Sequence, residues 1–408
     1  MADPLKVRDA RDVETAVRWA IAQSKTLEIV GRGSKRALGR PAQWDATLDL
    51  SALNGVTLYE PEELVLTAQA GTPLREIESL VDRSNQELAF EPMDYGPLLG
   101  MPHGRSSIGG AIVTNLSGPR RIKAGAARDH FLGFSGVSGR GETFKSGGRV
   151  VKNVTGYDLC KLMAGSWGTL AALTEITIKV LPRAETEMTL VVQGLVDAGA
   201  AKAMAAAMGS PCDVSGAAHL PARVAAQLLP GLGAGKAATV FRIEGVEPSV
   251  VHRARVLSEL MKSYGALAMV EPQRSRHLWR AIRDVTPFGA DGPVGTYPVW
   301  RISTAPTEGA ELARLISEDI EAEFIFDWAG GLIWAVLAPS DDAGEAIVRA
   351  ATTICGGHAM LVRAPAAIRA MVPVFAPEEG ALAALTARVK HGFDPQGALN
   401  PGRMWAGI

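Results

Sequence analysis

The sequence predicts an α+β protein of two domains, and three observations carry that reading. Its 408 residues exceed what a single hydrophobic core usually serves. Short runs of strand period alternate with runs of helical period along the whole chain. The spacing then changes between Pro182 and Thr186, from glycine-dense loops joining short elements to longer helices between strands. The division expected is residues 1–182, with halves of about 1–55 and 56–182, then 183–375, then a helix and tail over 376–408.

In the first domain Val13, Ala16, Val17, Ala20 and Ile21 recur at helical spacing behind Asp9 and Asp12, either of which can cap, so a helix is expected over residues 12–24. Leu27–Val30 reads as a short buried strand entering Gly31-Arg32-Gly33-Ser34, and residues 46–50 as a second. Residues 64–70 read as a strand running into Gly71. Thr72 is placed to cap the next helix, Pro73 sits in its first turn, and Leu74, Ile77, Leu80 and Val81 form its apolar face. Residues 101–148 are dense in glycine and serine, which predicts loops joined by a short helix over 108–115 and by short strands. Ile176, Ile178 and Val180 alternate with Glu175, Thr177 and Lys179, the period of a half-buried strand that Pro182 closes.

Beyond Thr186, strands over 238–243 and 298–302 and helices over 195–208 and 248–264 predict a second α+β domain with an antiparallel sheet. A last helix over 380–390 ends before Gly392, and the tail to Gly402 is rich in turn residues. No internal repeat is visible.

Composition narrows the function. Forty-two basic and 43 acidic side chains nearly cancel, which leaves no general field for nucleic acid or an anionic membrane. Cys160, Cys212 and Cys355 lie far apart and form no CxxC pair, so neither a disulfide framework nor an iron–sulfur ligand set is suggested, and a reducing compartment is expected. Charges interrupt residues 1–17, leaving no apolar core for a signal peptide, and no 18-residue stretch is apolar enough to span a bilayer. The expected place is the cytoplasm, with peripheral attachment at the inner face of the membrane left open through partners.

Three glycine clusters carry the chemistry. Gly31-Arg32-Gly33-Ser34-Lys35 follows a strand directly and can turn successive backbone N–H groups toward one point, a nest suited to a pyrophosphate. It is neither a GxGxxG fingerprint, because Arg occupies position 36 and Pro41 arrives before a crossover helix could form, nor a Walker A loop. Gly104-Arg105-Ser106-Ser107-Ile108-Gly109-Gly110, followed by Thr114-Asn115-Leu116-Ser117-Gly118, places small polar donors at both ends of a short helix. Gly165-Ser166-Trp167-Gly168-Thr169-Leu170 brings a third unhindered backbone beside the strand that ends at Pro182.

These clusters, with Lys152-Asn153-Val154-Thr155-Gly156-Tyr157-Asp158-Leu159, resemble the FAD-binding domain of the vanillyl-alcohol-oxidase (PCMH-type) flavoproteins in order and spacing along residues 1–182. Asn115-Leu116-Ser117-Gly118-Pro119-Arg120-Arg121, the Arg128-Asp129 pair and Asn400-Pro401-Gly402 look like the FAD-binding subunits of bacterial glycolate oxidases. The resemblance implies a PCMH-type domain of two α+β subdomains, a cap-like second domain, and a C-terminal tail returning to the first. It implies that Gly31, Arg32, Gly33, Ser34 and Lys35 hold the FAD pyrophosphate. Ser107, Gly109, Gly110, Thr114, Asn115, Leu116 and Ser117 would then line the flavin and ribityl region, and Trp167, Gly168, Thr169 and Leu173 the third side. The chain departs from the family pattern at Ala171-Ala172, where a second glycine is common, at Arg105-Ser106, and in a leaner first loop. Family members that attach FAD covalently use a His in the pyrophosphate loop; Ser34 and Lys35 stand there, so FAD is expected to be noncovalent.

A flavin that oxidises a 2-hydroxy acid needs a base or metal for the hydroxyl proton and a cation for the carboxylate. His219, His252, His277 and His358 are scattered and form no metal-binding grouping. His103 and His130 fall in the flavin-lining half, each beside glycine turns, and Arg120 and Arg121 could hold an anion, although a solvated surface pair is the commoner case. No catalytic residue is assigned and no metal is expected. The complete FAD set beside an incomplete substrate set implies an auxiliary or electron-relaying flavoprotein subunit that works with a catalytic flavoprotein subunit and an iron–sulfur subunit. One alternative is a self-sufficient 2-hydroxy acid or alcohol oxidoreductase using His103, Tyr157 or Arg120. The other is an assembly subunit that has lost its cofactor.

Overall fold

In a computed structural model of the protein, residues 4–149, 156–232 and 235–408 are described, and they form two compact units. Unit 1 holds the described residues up to Ser117 together with Gly125–Arg183 and Pro377–Ile408. Unit 2 holds Gly118–Ala124 and Ala184–Ala376. Residues 118–124, which the sequence places inside the first domain, thus belong to the second unit, because Ile122 packs against its apolar core and Arg120 pairs with Glu244.

The first helix of unit 1, Ala10–Ala22, is capped by Asp9, whose carboxylate accepts from the N–H groups of Arg11 and Asp12. Val13, Val17 and Ala20 bury its inner face. Leu27–Val30 and Ala46–Asp49 pair in parallel, with Leu5–Lys6 on the far side of Ala46–Asp49. The second sheet is antiparallel, in the order Val56–Glu60, Val65–Gln69, Ala171–Lys179, Phe131–Ser138, Thr143–Gly147. The helices Leu74–Asp82 and Ile108–Val113 add Leu74, Ile77, Ile108 and Ile112 to its core.

Three local expectations change. Thr72 does not cap; its hydroxyl donates to Gln69 O and accepts from Gly55 N, and Pro73 takes the cap position without a side-chain bond. The strand over Ala171–Lys179 is buried on nearly its whole length rather than on one face, because it is central in its sheet and Thr177 faces Thr67 hydroxyl to hydroxyl at 2.9 Å. The last helix runs through Gly392 to Phe393, because the Phe393 ring packs against Phe144 and makes the final turn worth forming.

Unit 2 is built on one eight-stranded antiparallel sheet. Its order is Ala266–Val270, Thr186–Gln193, Ala238–Gly245, Gly216–Leu220, Ala322–Asp327, Leu332–Leu337, Val299–Ser303, His358–Arg363. Each half has the same internal order, fourth-first-third-second, and the halves join where His219 faces Phe326. Helices follow the first and third strand of each half, Asp197–Met208 and Glu247–Met261 in one, Gly309–Asp319 and Glu345–Cys355 in the other. The unit is therefore a duplicated β-α-β-β-α-β motif. That repeat left no trace legible in sequence, because different apolar residues satisfy the same strand and helix pattern. Trp328 and Trp334, at the turn and on the strand that follows it, are buried in this unit.

Candidate functional site

The cleft of unit 1 lies where three chain segments meet. Strand Leu27–Val30 delivers Gly31–Lys35, the helix Ile108–Val113 opens after Ser107, and the turn at Gly165–Gly168 leads into strand Ala171–Lys179. The enclosed part of the cleft measures about 90 Å³. Gly31, Arg32, Gly33, Ser34, Lys35, Ser107, Gly109, Gly110, Thr114, Trp167, Gly168 and Leu173 all line it.

The glycines permit that convergence by close approach. A Cβ on Gly31 would stand 2.5 Å from Ser107 Oγ, between the first and second walls, and one on Gly109 2.7 Å from the carbonyl of Ala70, so a side chain there would push the helix off that backbone. Gly168 has φ +73°, and a Cβ would lie 2.8 Å from Asn400 Nδ2. The residue before it, Trp167, also sits in the left-handed region at φ 55°, an uncommon conformation for a bulky residue. Its N–H donates to Val113 O at 2.8 Å, and its carbonyl accepts from Asn400 Nδ2 at 2.9 Å.

Lys35 supplies the charge. Its ammonium is buried and donates to Ser34 Oγ at 3.2 Å and Ser106 Oγ at 3.3 Å. Burial pushes its pKa down to about 8, against the pull of Asp94 and with further lowering by Arg403. A cation held so dry favours an anion beside it.

The C-terminal tail fixes the walls from behind. Asn400 accepts from Ile29 N at 2.8 Å while donating to Trp167 O, and Leu399 forms a parallel bridge with Leu27. Arg403 donates to the carbonyl of Lys35 at 2.8 Å. Lys390 Nζ donates to Thr169 O at 2.7 Å, Leu399 O at 2.9 Å and Asp394 Oδ2 at 2.6 Å.

Four expected site residues lie off the cleft wall. Asn115 accepts from Arg128 N, Leu116 is buried, Ser117 accepts from Ala127 N, and the Thr169 hydroxyl donates to Ser166 O. The Asn115 and Ser117 side chains thus satisfy N–H groups at the start of the helix Ala127–His130, and Thr169 closes its own turn. Ala171, where the family pattern often has glycine, lines the cleft as well, and so do Ile29, Val30, Arg36, Leu50, Ala70, Val113 and Arg403, which were not singled out as site residues. Of these only Arg403 carried a signal, its place beside Asn400-Pro401-Gly402. The Lys152–Thr155 part of the fourth motif lies outside the described residues.

The catalytic candidates do not gather here. His103 and Tyr157 are exposed, and His130 is buried against the Phe90 ring at 5.4 Å. Arg120 and Arg121 are not a solvated pair. Arg120 forms an ion pair with Glu244, with both side chains largely buried, and Arg121 lies over the Trp328 ring. Among the described residues no group of three or more His, Cys, Asp or Glu is placed to hold a metal ion. Nor is any helix among them long and apolar enough to cross a membrane.

Comparison with known proteins adds the following. Residues 5–147 match the family described as an FAD binding domain. A glycolate oxidase subunit GlcE of Escherichia coli (strain K12) is 33% identical over 392 residues, covering 96% of this chain and 95% of that protein. A D-2-hydroxyglutarate dehydrogenase of Xanthomonas citri pv. viticola is 34% identical over 172 residues, 41% of this chain and 34% of that protein. Among solved structures, a 4-ethylphenol oxidase from Gulosibacter chungangensis superposes with a TM-score of 0.70 at 13% identity, covering 98% of this chain and 88% of that one, a likeness of fold.

Proposed function

The chain belongs to the family of that glycolate oxidase subunit and is an FAD-dependent oxidoreductase subunit; from this premise we propose that its unit 1 cleft holds FAD without a covalent bond. The observation that carries the proposal is the meeting of Ser34, Thr114 and Gly168, from three separate segments, around one cleft that a buried ammonium also lines.

The residues fit a flavin dinucleotide. The backbone from Gly31 to Lys35 can approach a diphosphate closely, and the Lys35 ammonium neutralises part of its charge. Ser107, Gly109, Gly110 and Thr114 give a flat ring a wall of small groups and short hydroxyls, and Trp167, Gly168 and Leu173 exclude water from the opposite side. Bound FAD supplies the two-electron acceptance that oxidation of a 2-hydroxy acid requires.

We further propose that this subunit acts in an auxiliary or electron-relaying role beside a catalytic flavoprotein subunit and an iron–sulfur subunit, attached through them at the inner face of the membrane. No histidine among the described residues lines the cleft, which supports this auxiliary reading.

Acid denaturation followed by absorbance and chromatography tests the cofactor. Stoichiometric FAD is expected in the supernatant; yellow colour in the pellet would refute noncovalent binding, and flavin-free fresh protein would refute the cleft assignment. Co-purification with the sister subunits tests the role. Glycolate oxidation by this chain alone at the rate of the whole complex would remove the auxiliary reading.

A further inference from the structure

Unit 2 carries a groove of its own, along the seam of its duplication. The walls are the helices Asp197–Met208 and Gly309–Asp319, each of which follows the first strand of its half. Ala198, Ala201, Lys202 and Ala205 line one wall, and Ala310, Glu311 and Arg314 the other. The space between them measures about 840 Å³. The helix Asp197–Met208 has two distinct faces. Ala200, Ala203, Met204 and Ala207 are buried in the core, whereas Ala198, Lys202 and Ala205 are exposed along the groove. Val196, which also lines it, is 74% exposed. Large concavities with mostly apolar linings mark interaction sites.

Four charged side chains line the groove, and three of them are engaged. Asp197 pairs with the buried His219, whose Nε2 lies 3.1 Å away, and Glu311 pairs with Arg314 at 2.6 Å. The fourth, Lys202, has no hydrogen-bond or ion-pair partner among the described residues. It stands on the helix face that Ala198, Ala201 and Ala205 otherwise leave free of charge. Covering that face desolvates the ammonium, which is costly unless the cover brings a negative group to it. Lys202 therefore sets the charge of what fits: one carboxylate on an otherwise apolar surface.

We propose that this groove seats a helix of about two turns from a sister subunit, packed against Ala198, Ala201 and Ala205 and presenting one carboxylate to Lys202. The inference rests on the reading of this chain as one subunit of a multi-subunit enzyme. A helix with its side chains is a cylinder about 10 Å across that rises about 1.5 Å per residue, so 840 Å³ corresponds to about seven residues. Ala198, Ala201 and Ala205 recur at helical spacing, and small side chains let helix axes approach toward the near end of the usual range of about 8–10 Å. A second copy of this chain fits less well, because the same face of that copy offers another Lys202 in place of a carboxylate.

Photo-cross-linking within the assembled complex tests the proposal, with p-benzoylphenylalanine placed at Ala198 and the adduct sequenced. The expected adduct is a helical segment of a sister subunit that carries Asp or Glu. Adducts only within this chain or with a second copy, in an intact complex, would overturn it. Association of the FAD-loaded chain with the purified sister subunits, read by biolayer interferometry, gives the second measurement. Lys202→Glu and Ala205→Trp alter exposed positions, so fold and flavin content should stay unchanged. Each should weaken association by about tenfold or more, the first through charge and the second by filling the groove. Reversing the cross-linked carboxylate to Lys should restore binding to the Lys202→Glu variant. Unchanged affinity in both variants would remove the groove and leave the subunit reading standing. Failure of the unaltered chain to bind any sister subunit would remove both.

Discussion

Each unit fastens a sequence-distant segment with buried charge, and the two do it differently. In unit 1 the Lys390 ammonium alone faces the fully buried carboxylate of Asp394 and also satisfies two backbone carbonyls, one of them from Thr169 beside the Gly168 turn. Burial lowers its pKa although Asp394 opposes this. In unit 2 burial alone would raise the Glu244 pKa, yet Arg242 and Arg120 together hold it at about 2. Arg120 lies 2.5–3.0 Å from that carboxylate and Arg242 3.4 Å. One cation tied to several acceptors transmits any displacement to the cleft wall. Two cations on one carboxylate tolerate the loss of either.

That difference sets the largest expected effect. Lys390→Met leaves the Asp394 carboxylate buried without its cation and two carbonyls without a donor, so a loss of about 3–5 kcal/mol is expected. Arg120→Met leaves Arg242 on Glu244 and should cost less, about 1–3 kcal/mol. Denaturant midpoints at unchanged slope measure both. If Arg120→Met proved the costlier, redundancy would not be what distinguishes unit 2.

Glycine substitutions sharpen the same contrast. Gly168 and Gly231 both have positive φ, +73° and +84°, but a Cβ on Gly168 would meet Asn400 at 2.8 Å while one on Gly231 meets nothing within 4 Å among the described residues. Gly231→Ala should cost only the left-handed conformation, about 1–2 kcal/mol. Gly168→Ala should cost about 1 kcal/mol more, because the Asn400 side chain is pinned at both ends and yields poorly. It should also loosen FAD, read by equilibrium dialysis; unchanged flavin content would separate the tail from the cleft.

The two sites differ as much in how far sequence revealed them. The cleft loops were legible because positive φ and close backbone approach demand glycine, and Gly31, Gly109 and Gly168 answer that demand. The off-wall positions of Asn115, Ser117 and Thr169 were not, because a short polar side chain that satisfies backbone looks the same in sequence as one that faces a ligand. Arg403 and Leu50 reach the wall from far along the chain, which local patterns do not report. In unit 2 the two walls of the groove come from helices far apart in the chain. Arg120 was read as exposed because its partner Glu244 lies over a hundred residues away.

A third test sets the buried charge of the cleft itself against pH. The Lys35 pKa of about 8 lies below its ordinary range, so above pH 8 the unfolded chain binds more protons than the flavin-free protein. Flavin-free stability should therefore rise between about pH 8 and pH 10, at up to about 1.4 kcal/mol per unit. A diphosphate beside Lys35 raises its pKa, so FAD affinity should fall over the same interval, by up to about tenfold per unit. Lys35→Met should flatten both trends. Parallel trends, or trends that survive the substitution, would detach Lys35 from the diphosphate.

The smallest effect concerns the strained turns, which both units use to set a tryptophan. Trp167 at φ 55° is followed at once by Gly168, whereas Trp328 at φ 50° is followed by Ala329 at φ 57° before Gly330. Ala329→Gly would relieve about 1–2 kcal/mol of left-handed strain. It would also forfeit about 0.8 kcal/mol for a methyl group packed in the unit 2 core, and about 0.5–1 kcal/mol through the greater freedom of glycine in the unfolded chain. These terms nearly cancel, so the midpoint should move by less than about 1 kcal/mol in either direction. The anchors from Asp327 and Gly118 to Trp328 do not involve the substituted side chain, and the indole should keep its place. A loss above about 2 kcal/mol would mean that packing of the methyl, rather than those two hydrogen bonds, holds the turn against its strain.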